Sequence, residues 1–160
     1  MMATIEREVR VETGSSGDLD SVMKVMDSAF GRRFGEAWTR SQLAGILPMG
    51  GVSLMLATDP NSGEMLGFSL FRTVEDESEL LLLAVSPSHH RRGVGSRLLE
   101  DFLERARKDG VARVHLEVRD GNPAVAMYRS AGFSPVGRRR NYYHAPNGKP
   151  FDAITLAHRL

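Results

Sequence analysis

Apolar and polar residues recur along this chain with two different periods, which predict a mixture of helices and strands. The helical period appears first in a segment whose apolar positions are Leu19, Val22, Met23, Met26 and Phe30. It appears again in an amphipathic segment over 97–108, whose apolar face comprises Val94, Leu98, Leu99, Phe102, Leu103 and Ala106. Lys108 lies in the last predicted turn of that helix, and Gly110 suits its C-terminal cap.

A shorter helix is predicted by an unusually complete start signal at Thr39. Thr39 and Gln42 have the spacing of a capping box, in which each side chain bonds to the other residue's backbone N–H. Trp38 and Leu43 occupy the two positions of a hydrophobic staple. The helix is expected over 40–47, before a Pro- and Gly-containing stretch.

A fourth helix is expected to open at Asn122-Pro123. Asn is a favoured capping residue, and Pro is favoured at the first helical position. This helix is predicted to run to about Ser130 and to end before Gly132.

Short apolar or alternating segments predict seven strands. In chain order these are Glu8–Val11, Val52–Thr58, Met65–Arg72, Leu80–Val85, Val111–Val118, Phe133–Val136 and Asp152–Ala157. A polar, aromatic loop is expected between the last two. The resulting order, β-α-α-β-β-β-α-β-α-β-β, predicts one α/β domain over 1–160, with a mixed, mostly antiparallel central sheet flanked by helices.

Composition narrows the class of protein. The length of 160 residues suits a single domain, and the net charge of +1 gives no overall field for nucleic acid or an anionic membrane. The chain has no cysteine, which excludes disulfides, thiolate nucleophiles and cysteine-based zinc sites. Its first residues lack the apolar core of a signal peptide. We therefore expect a cytoplasmic protein with no membrane contact. A monomer or weak homodimer is the expected assembly.

A glycine-containing segment joins the fourth predicted strand to the helix that follows. It consists of Arg91, Arg92, Gly93, Val94, Gly95 and Ser96. The first N–H groups of a helix lack partners and carry positive partial charge, so this segment predicts a nest for a pyrophosphate. A nucleotide P-loop is disfavoured because no Gly-Lys-Ser/Thr follows.

This segment, from His90 to Gly95, resembles the acetyl-CoA signature of the GCN5-related N-acetyltransferase superfamily, with His in place of the usual first Gln or Arg. Two further blocks follow in the superfamily's order. Leu116-Glu117-Val118-Arg119 is similar to the next strand, and Asn122, Tyr128 and Gly132-Phe133 are similar to its Asn…Tyr-x-x-x-Gly-Phe block.

The tail is similar to that of the RimI family, the bacterial ribosomal-protein-alanine N-acetyltransferases. The similarity lies in Arg139-Arg140-Asn141-Tyr142-Tyr143 and in Asp152-Ala153-Ile154. Phe34 and Trp38-Thr39 resemble that family's Phe-Pro-Trp-Ser region, with a wider spacing. The resemblance implies acetyl-CoA as cosubstrate and the N-terminus of a ribosomal protein as acceptor. No metal is expected, because His89 and His90 lack a third ligand at a suitable spacing.

The resemblance also implies roles for individual residues. The backbone of Leu83, Ala84 and Val85 would pair with the pantetheine arm, and its amides would polarise the acetyl carbonyl. Asn122 would contact the cofactor in addition to capping its helix.

For the chemical step, Glu117 would be the general base, acting through water, and Tyr128 would protonate the CoA sulfur. Tyr142 and Tyr143 would lie in the loop over the acceptor. Phe34 would be a wall of the acceptor site, and so would Trp38 in addition to its place in the staple.

Less specific interpretations stay open for these residues. Glu117 could be an exposed strand carboxylate paired with Arg113 or Arg119, and Tyr128 could serve only in packing. The acceptor could be another protein N-terminus or a small amine, and the domain could bind acetyl-CoA without catalysis. The arginines at 138–140 are interpreted as a solvated strand end rather than a contact to nucleic acid.

Overall fold

The protein is described by a computed structural model that covers residues 8–90 and 92–160. The first seven residues, on which the expectation about a signal peptide depends, and Arg91 lie outside the described residues. The helices are α1 Leu19–Phe30, α2 Arg40–Ile46, α3 Val94–Lys108 and α4 Ala124–Ser130. The strands are β1 Arg10–Thr13, β2 Val52–Thr58, β3 Met65–Val74, β4 Glu77–Val85, β5 Arg113–Arg119, β6 Ser134–His144 and β7 Pro150–Arg159. Helices and strands follow one another in the predicted order.

The strands form one sheet of seven in the order β1-β2-β3-β4-β5-β7-β6. Neighbours are antiparallel except β4 and β5, which are parallel and are joined through α3. The predicted mixed, mostly antiparallel sheet is therefore confirmed. Two apolar clusters cover it, one built around α3 and the other around α1 and α2. The latter includes Leu19, Val22, Met26, Leu43, Phe68 and Leu70.

The predicted apolar face of α3 is confirmed, because all six of its members are buried. The helix begins at Val94, three positions before the expected start of the amphipathic segment. Gly93 precedes it with φ +73°, a left-handed conformation that glycine adopts without steric cost. The glycine segment thus turns directly from a loop into the first turn of α3.

The start signal of α2 is confirmed in atomic detail. The Thr39 N–H donates to Gln42 Oε1 at 2.8 Å, and the Gln42 N–H donates to Thr39 Oγ1 at 3.2 Å. Leu43 is buried in the cluster around α1 and α2, and Trp38 packs against the same cluster. The helix ends at Ile46, one residue earlier than predicted.

The loop predicted before the last strand is wrong for most of its length. β6 continues to His144 and β7 starts at Pro150, so Tyr142 and Tyr143 lie in a strand. Because β6 is an edge strand and exposed along nearly all its length, it shows no apolar alternation for sequence analysis to detect. Its pairing shifts register between Arg139 and Tyr143, and Asn141 there has φ +52°, which marks a bulge.

Other strand boundaries differ by a few residues. β1 and β5 each begin two residues later than predicted, and β3 and β4 extend into a tight hairpin. Glu75, in the acidic stretch Glu75-Asp76-Glu77, makes that turn with φ +56°. The alternation of this segment predicts Ala112, Val114, Leu116 and Val118 on one face; on β5 Val114, Leu116 and Val118 are buried, whereas Ala112 lies before the strand and is exposed. In the described part of the chain, no helix combines the length and the apolarity needed to cross a membrane.

Candidate active site

The parallel strands β4 and β5 pair only in their first halves, and the site lies where they separate. Their ladder ends at the pair Leu80–Leu116. Beyond it, β4 follows β3 to Val85, while β5 follows β7 to Arg119. The opening contains a larger cavity of about 630 Å³ and a smaller one of about 120 Å³.

Most of the residues predicted to bind the acetyl donor, acetyl-CoA, line the larger cavity. It is lined by the end of β4, the glycine segment and the start of α4, including Leu83, Ala84, Val85, Gly93, Val94, Gly95, Ser96 and Asn122. We call it the donor cleft. The backbone of β4 and the first turn of α3 therefore face the same space.

The N-terminus of α3 has the properties of an anion cradle. Gly93 cannot cap the helix with a side chain, and its carbonyl accepts from the Arg97 N–H at 2.9 Å. The N–H groups of Val94, Gly95 and Ser96 precede the first helical donor, so they are available to a ligand at the positive end of the helix dipole. A Cβ on Gly95 would stand 3.2 Å from Met127 Sδ, another residue of the cleft. These groups fit a pyrophosphate.

The side chain of Arg92 is engaged elsewhere. Its guanidinium lies 3.2 Å from an oxygen of Asp59, in the turn between β2 and β3. Asp59 also accepts hydrogen bonds from the Asn61 and Ser62 N–H groups, and these bonds chiefly lower its pKa. Any role of Arg92 toward a donor thus falls to its backbone, and its side chain braces the glycine segment.

The two histidines before the glycine segment were predicted not to bind metal. His89 lies 3.1 Å from Glu64. Across residues 8–90 and 92–160, no cluster of three or more His, Asp or Glu side chains is suited to hold a metal ion.

Glu117 lies in the smaller cavity, which we call the acceptor pocket. Its side chain is only 10% exposed, so the interpretation as an exposed carboxylate is wrong. It accepts a hydrogen bond from the Thr155 hydroxyl at 2.7 Å and another from Arg139 Nε at 2.8 Å. The alternative partners are engaged elsewhere, since Arg113 pairs with Glu77 and Arg119 with Glu36.

Tyr128 lines the acceptor pocket together with Glu117. It is 6% exposed, and its ring packs edge-on against Phe133 with centroids 6.0 Å apart. Burial, with a smaller contribution from the charge of Glu36, raises the pKa of Tyr128 well above its usual value. The hydroxyl is therefore protonated at neutral pH and can act as a proton donor.

The bulge in β6 places two tyrosines on the acceptor pocket. Tyr142 and Tyr143 both line it, with their rings edge-to-face at 4.9 Å. Tyr143 donates a hydrogen bond of 3.4 Å to the Glu117 carbonyl, and burial raises its pKa above the usual value. The Asn141 N–H donates to Asp152 at 3.0 Å, which holds the bulge against β7.

The two aromatic residues predicted near the acceptor lie on different sides. Trp38 lines the acceptor pocket, whereas Phe34 lines the donor cleft. The Arg119 guanidinium lies 3.6 Å from the centroid of the Phe34 ring, and Phe151 contacts the same ring edge-on at 5.0 Å.

A buried ion pair that was not predicted from the sequence lies between the two cavities. Glu36 and Arg119 are about one-tenth exposed, and Arg119 Nε donates to Glu36 at 3.2 Å. Asn122 Nδ2 donates to the other Glu36 oxygen at 3.1 Å. Both charged residues line both cavities. Two signals in the sequence point toward the site: Glu36 lies two positions before the staple residue Trp38, and Arg119 lies at the end of a strand.

Comparison with known proteins identifies the family of this chain. Residues 19–133 match the acetyltransferase (GNAT) family, and the chain belongs to that family. Within it, the chain is 42% identical over 97 residues to the ribosomal protein bS18-alanine N-acetyltransferase of Escherichia coli, which covers 60% of this chain and 65% of that enzyme. It is also 42% identical over 101 residues to the N-alpha-acetyltransferase RimI of Mycobacterium tuberculosis, 60% of each chain.

These matches span less than two thirds of the length of the curated relatives. The fold likeness extends further. A crystal structure of the ribosomal-protein-S18-alanine N-acetyltransferase from Escherichia coli superposes with a TM-score of 0.84 and 31% identity, over 95% of this chain and 94% of that one.

Proposed function

We propose that this protein is an acetyl-CoA-dependent N-terminal acetyltransferase that modifies the N-terminal alanine of a small-subunit ribosomal protein. The observation that carries the proposal is the placement of Glu117 and Tyr128 in one pocket beside a cleft that ends at a helix N-terminus. The relatives named above act on a ribosomal alanine and on protein N-termini, which supports the choice of acceptor.

The residues of the donor cleft suit acetyl-CoA. The N–H groups of Val94, Gly95 and Ser96 would hold its pyrophosphate. The backbone of β4 from Leu83 to Val85, which faces the opening, would bind the pantetheine arm as an added strand would, and its N–H groups would stabilise negative charge on the acetyl oxygen. Acetyl-CoA supplies the activated acetyl group.

The transfer needs one proton acceptor and one proton donor. The amine nitrogen bonds to the acetyl carbon as the carbon–sulfur bond breaks. Glu117 takes the proton that the amine loses, through water, and Tyr128 gives a proton to the departing sulfur. The amine attacks the acetyl group directly in a ternary complex, and the lack of cysteine excludes a cysteine thioester as an intermediate.

A carboxylate base favours an α-amine over a lysine. An α-amino group has a pKa near ~7.8 and a lysine side chain near ~10.4, so the lysine costs about 3.5 kcal/mol more to deprotonate. The paired Tyr142 and Tyr143 supply two adjacent rings at the pocket, which suits a peptide more than a small amine.

Two alternatives are tested by the same assay. One is a GNAT enzyme for another protein N-terminus or for a small amine such as a polyamine. The other is a binding module without catalysis, which the presence of both Glu117 and Tyr128 disfavours.

The assay measures acetyl-CoA turnover on an alanine-initiated ribosomal peptide, on the same peptide with a blocked N-terminus, and on free polyamines. Turnover on the first peptide alone is expected. Turnover on free amines alone would contradict the ribosomal assignment, and binding of acetyl-CoA without turnover on any acceptor would favour the binding module.

A further inference from the structure

The segment from Phe34 to Glu36, between α1 and α2, forms the wall between the two cavities. Phe34 lines the donor cleft, Glu36 lines both cavities, and Trp38 just beyond lines the acceptor pocket. Since Glu36 and Trp38 both line the acceptor pocket, the position of this short segment sets the shape of that pocket. We call residues 34–36 the dividing segment.

Residues at the end of β5 and before α4 hold the dividing segment from one side. Arg119 stacks on Phe34 at 3.6 Å and donates to Glu36 at 3.2 Å. Asn122 donates to Glu36 through Nδ2, while its Oδ1 accepts from the Ala124 N–H at 2.9 Å. Because Glu36 and Arg119 are buried, loss of either charge would leave the other unpaired, which is strongly unfavourable.

The end of β6 holds the dividing segment from the other side. Gly35 has φ +72°, and a Cβ built on it would lie 2.0 Å from the His144 carbonyl oxygen. Only a residue without a side chain permits this approach. His144 directly follows Tyr142 and Tyr143, so the contact joins the dividing segment to the strand that carries the two tyrosines of the acceptor pocket.

We propose that Gly35 and Glu36 are positioning residues for the acceptor. Gly35 seats the dividing segment against the end of β6, and Glu36 fixes it to Arg119 and Asn122, so that together they set the shape of the acceptor pocket. The pyrophosphate cradle at Gly93–Ser96 is built on α3 and does not depend on this seat. The identity of the acceptor rests on the proposed function. The contact of Gly35 with the end of β6, which we call the seat, rests on geometry alone.

The chain offers a matched pair of substitutions for the test. Gly31 lies in the same connection with φ +55°, yet a Cβ there meets nothing within 4 Å. Gly31→Ala and Gly35→Ala therefore both add left-handed strain, but only Gly35→Ala forces the dividing segment from His144.

The expected kinetic result is a split between the two substrates. In Gly35→Ala, the KM for the alanine-initiated peptide rises about tenfold or more, because displaced positioning groups cost this order of efficiency. The Kd of acetyl-CoA, measured by calorimetry, stays within about threefold of wild type in both variants, because the substituted Gly31 and Gly35 do not themselves line the donor cleft. Gly31→Ala also keeps the peptide KM within about threefold.

Trp38 gives a readout that needs no turnover. It is the single tryptophan of the chain, and it lies on the acceptor pocket three positions after Gly35. We expect acrylamide to quench its fluorescence more in Gly35→Ala than in wild type, and equally in Gly31→Ala and wild type. This measurement tests the contact between Gly35 and the end of β6 even if the wild-type protein acetylates none of the acceptors tested. A failure of the proposed function can therefore be distinguished from a failure of this proposal.

Two outcomes would overturn the proposal. One is that Gly35→Ala and Gly31→Ala share the same peptide KM and the same Trp38 quenching. The other is that Gly35→Ala raises the Kd of acetyl-CoA by as large a factor as it raises the KM for the peptide. If Gly35→Ala does not fold, Glu36→Gln replaces it, since it keeps the side-chain size and removes the charge. An unchanged peptide KM and unchanged quenching in Glu36→Gln would equally overturn the proposal.

Discussion

Arg139 donates a hydrogen bond of 2.8 Å to Glu117, which joins a nearly buried carboxylate to an arginine that is 61% exposed. Since the arginine is exposed, it can separate from the carboxylate without being left unpaired in an apolar environment. The Thr155 hydroxyl, at 2.7 Å, holds the other oxygen of Glu117 in place meanwhile. The proposed base is therefore oriented from β7 and covered from β6.

Glu117→Gln is expected to lower kcat by about 10²-fold or more, the usual loss when a general base is removed. The amide keeps the size of the side chain, so the Kd of acetyl-CoA should not change. Steady-state kinetics on the alanine-initiated peptide and calorimetry with acetyl-CoA measure the two quantities.

Arg139→Gln is the control for this prediction. It removes the ion-pair partner and leaves the carboxylate, so kcat should fall by no more than about tenfold, the effect of a lost exposed ion pair. If Arg139→Gln lost as much activity as Glu117→Gln, the pair and not the carboxylate would be the functional unit.

Tyr128→Phe is expected to lower kcat by about 10²-fold, because the phenyl ring keeps the packing on Phe133 but has no proton to give. Burial raises the pKa of Tyr128, so the hydroxyl stays protonated above the ordinary tyrosine value of about 10. The kcat of the wild-type protein should therefore not decline between neutral pH and about pH 10. A decline in that range that disappears in Tyr128→Phe would show that the hydroxyl ionises earlier than its burial implies.

Gly95→Ala is expected to weaken acetyl-CoA binding by about tenfold or more, by narrowing a cleft in which the donor must approach the backbone closely. The added Cβ would stand 3.2 Å from Met127 Sδ and 3.6 Å from the Val85 side chain. Gly45→Ala in α2 is the matched control, since a Cβ there meets nothing within 4 Å. Calorimetry should show wild-type affinity in the control, and equal affinity in both variants would contradict the placement of the donor.

Asp59→Asn is expected to destabilise the protein in a pH-dependent manner. Backbone hydrogen bonds from Asn61 and Ser62, and then Arg92, lower the pKa of Asp59 in the folded state. The contribution of the Asp59 carboxylate to the free energy of unfolding is therefore present above the unfolded pKa of about 3.9. It is lost as the pH falls through the lower pKa of the folded state.

Urea unfolding of wild type and Asp59→Asn at about pH 6 and about pH 3 measures this effect. The difference in the free energy of unfolding between the two proteins should be larger at the higher pH. Glu104→Gln, at an exposed position of α3, should show no such change with pH. A difference between wild type and Asp59→Asn that is constant across pH would contradict the prediction.

Elements defined by local signals were predictable from the sequence. The apolar face of α3 and the capping box at Thr39 depend on residues within one or two helical turns, and both were found as expected. The start of β6 was predicted as the strand Phe133–Val136, whereas its continuation to His144 escaped detection, because an edge strand without a buried face need not alternate.

The residues of the site were predictable only where they belong to a motif. The glycine segment, Glu117 and Tyr128 lie in contiguous blocks whose spacing the sequence displays. Glu36 and Arg119 are 83 positions apart, so their pairing depends on how the chain folds back across the sheet. Arg92 shows the reverse case, since its place at the start of the glycine segment suggests a phosphate contact, whereas its side chain pairs with Asp59, 33 positions away.

The exposed edge formed by β6 has a consequence for how molecules of this protein meet one another. An exposed strand offers unpaired backbone groups that can recruit a strand from another molecule. On β6, Pro135 removes one donor, the exposed side chain of Arg140 adds a charge at the edge, and the bulge at Asn141 bends the strand out of a flat register. These features disfavour growth of the sheet by addition of a strand from another molecule along the eleven residues of β6.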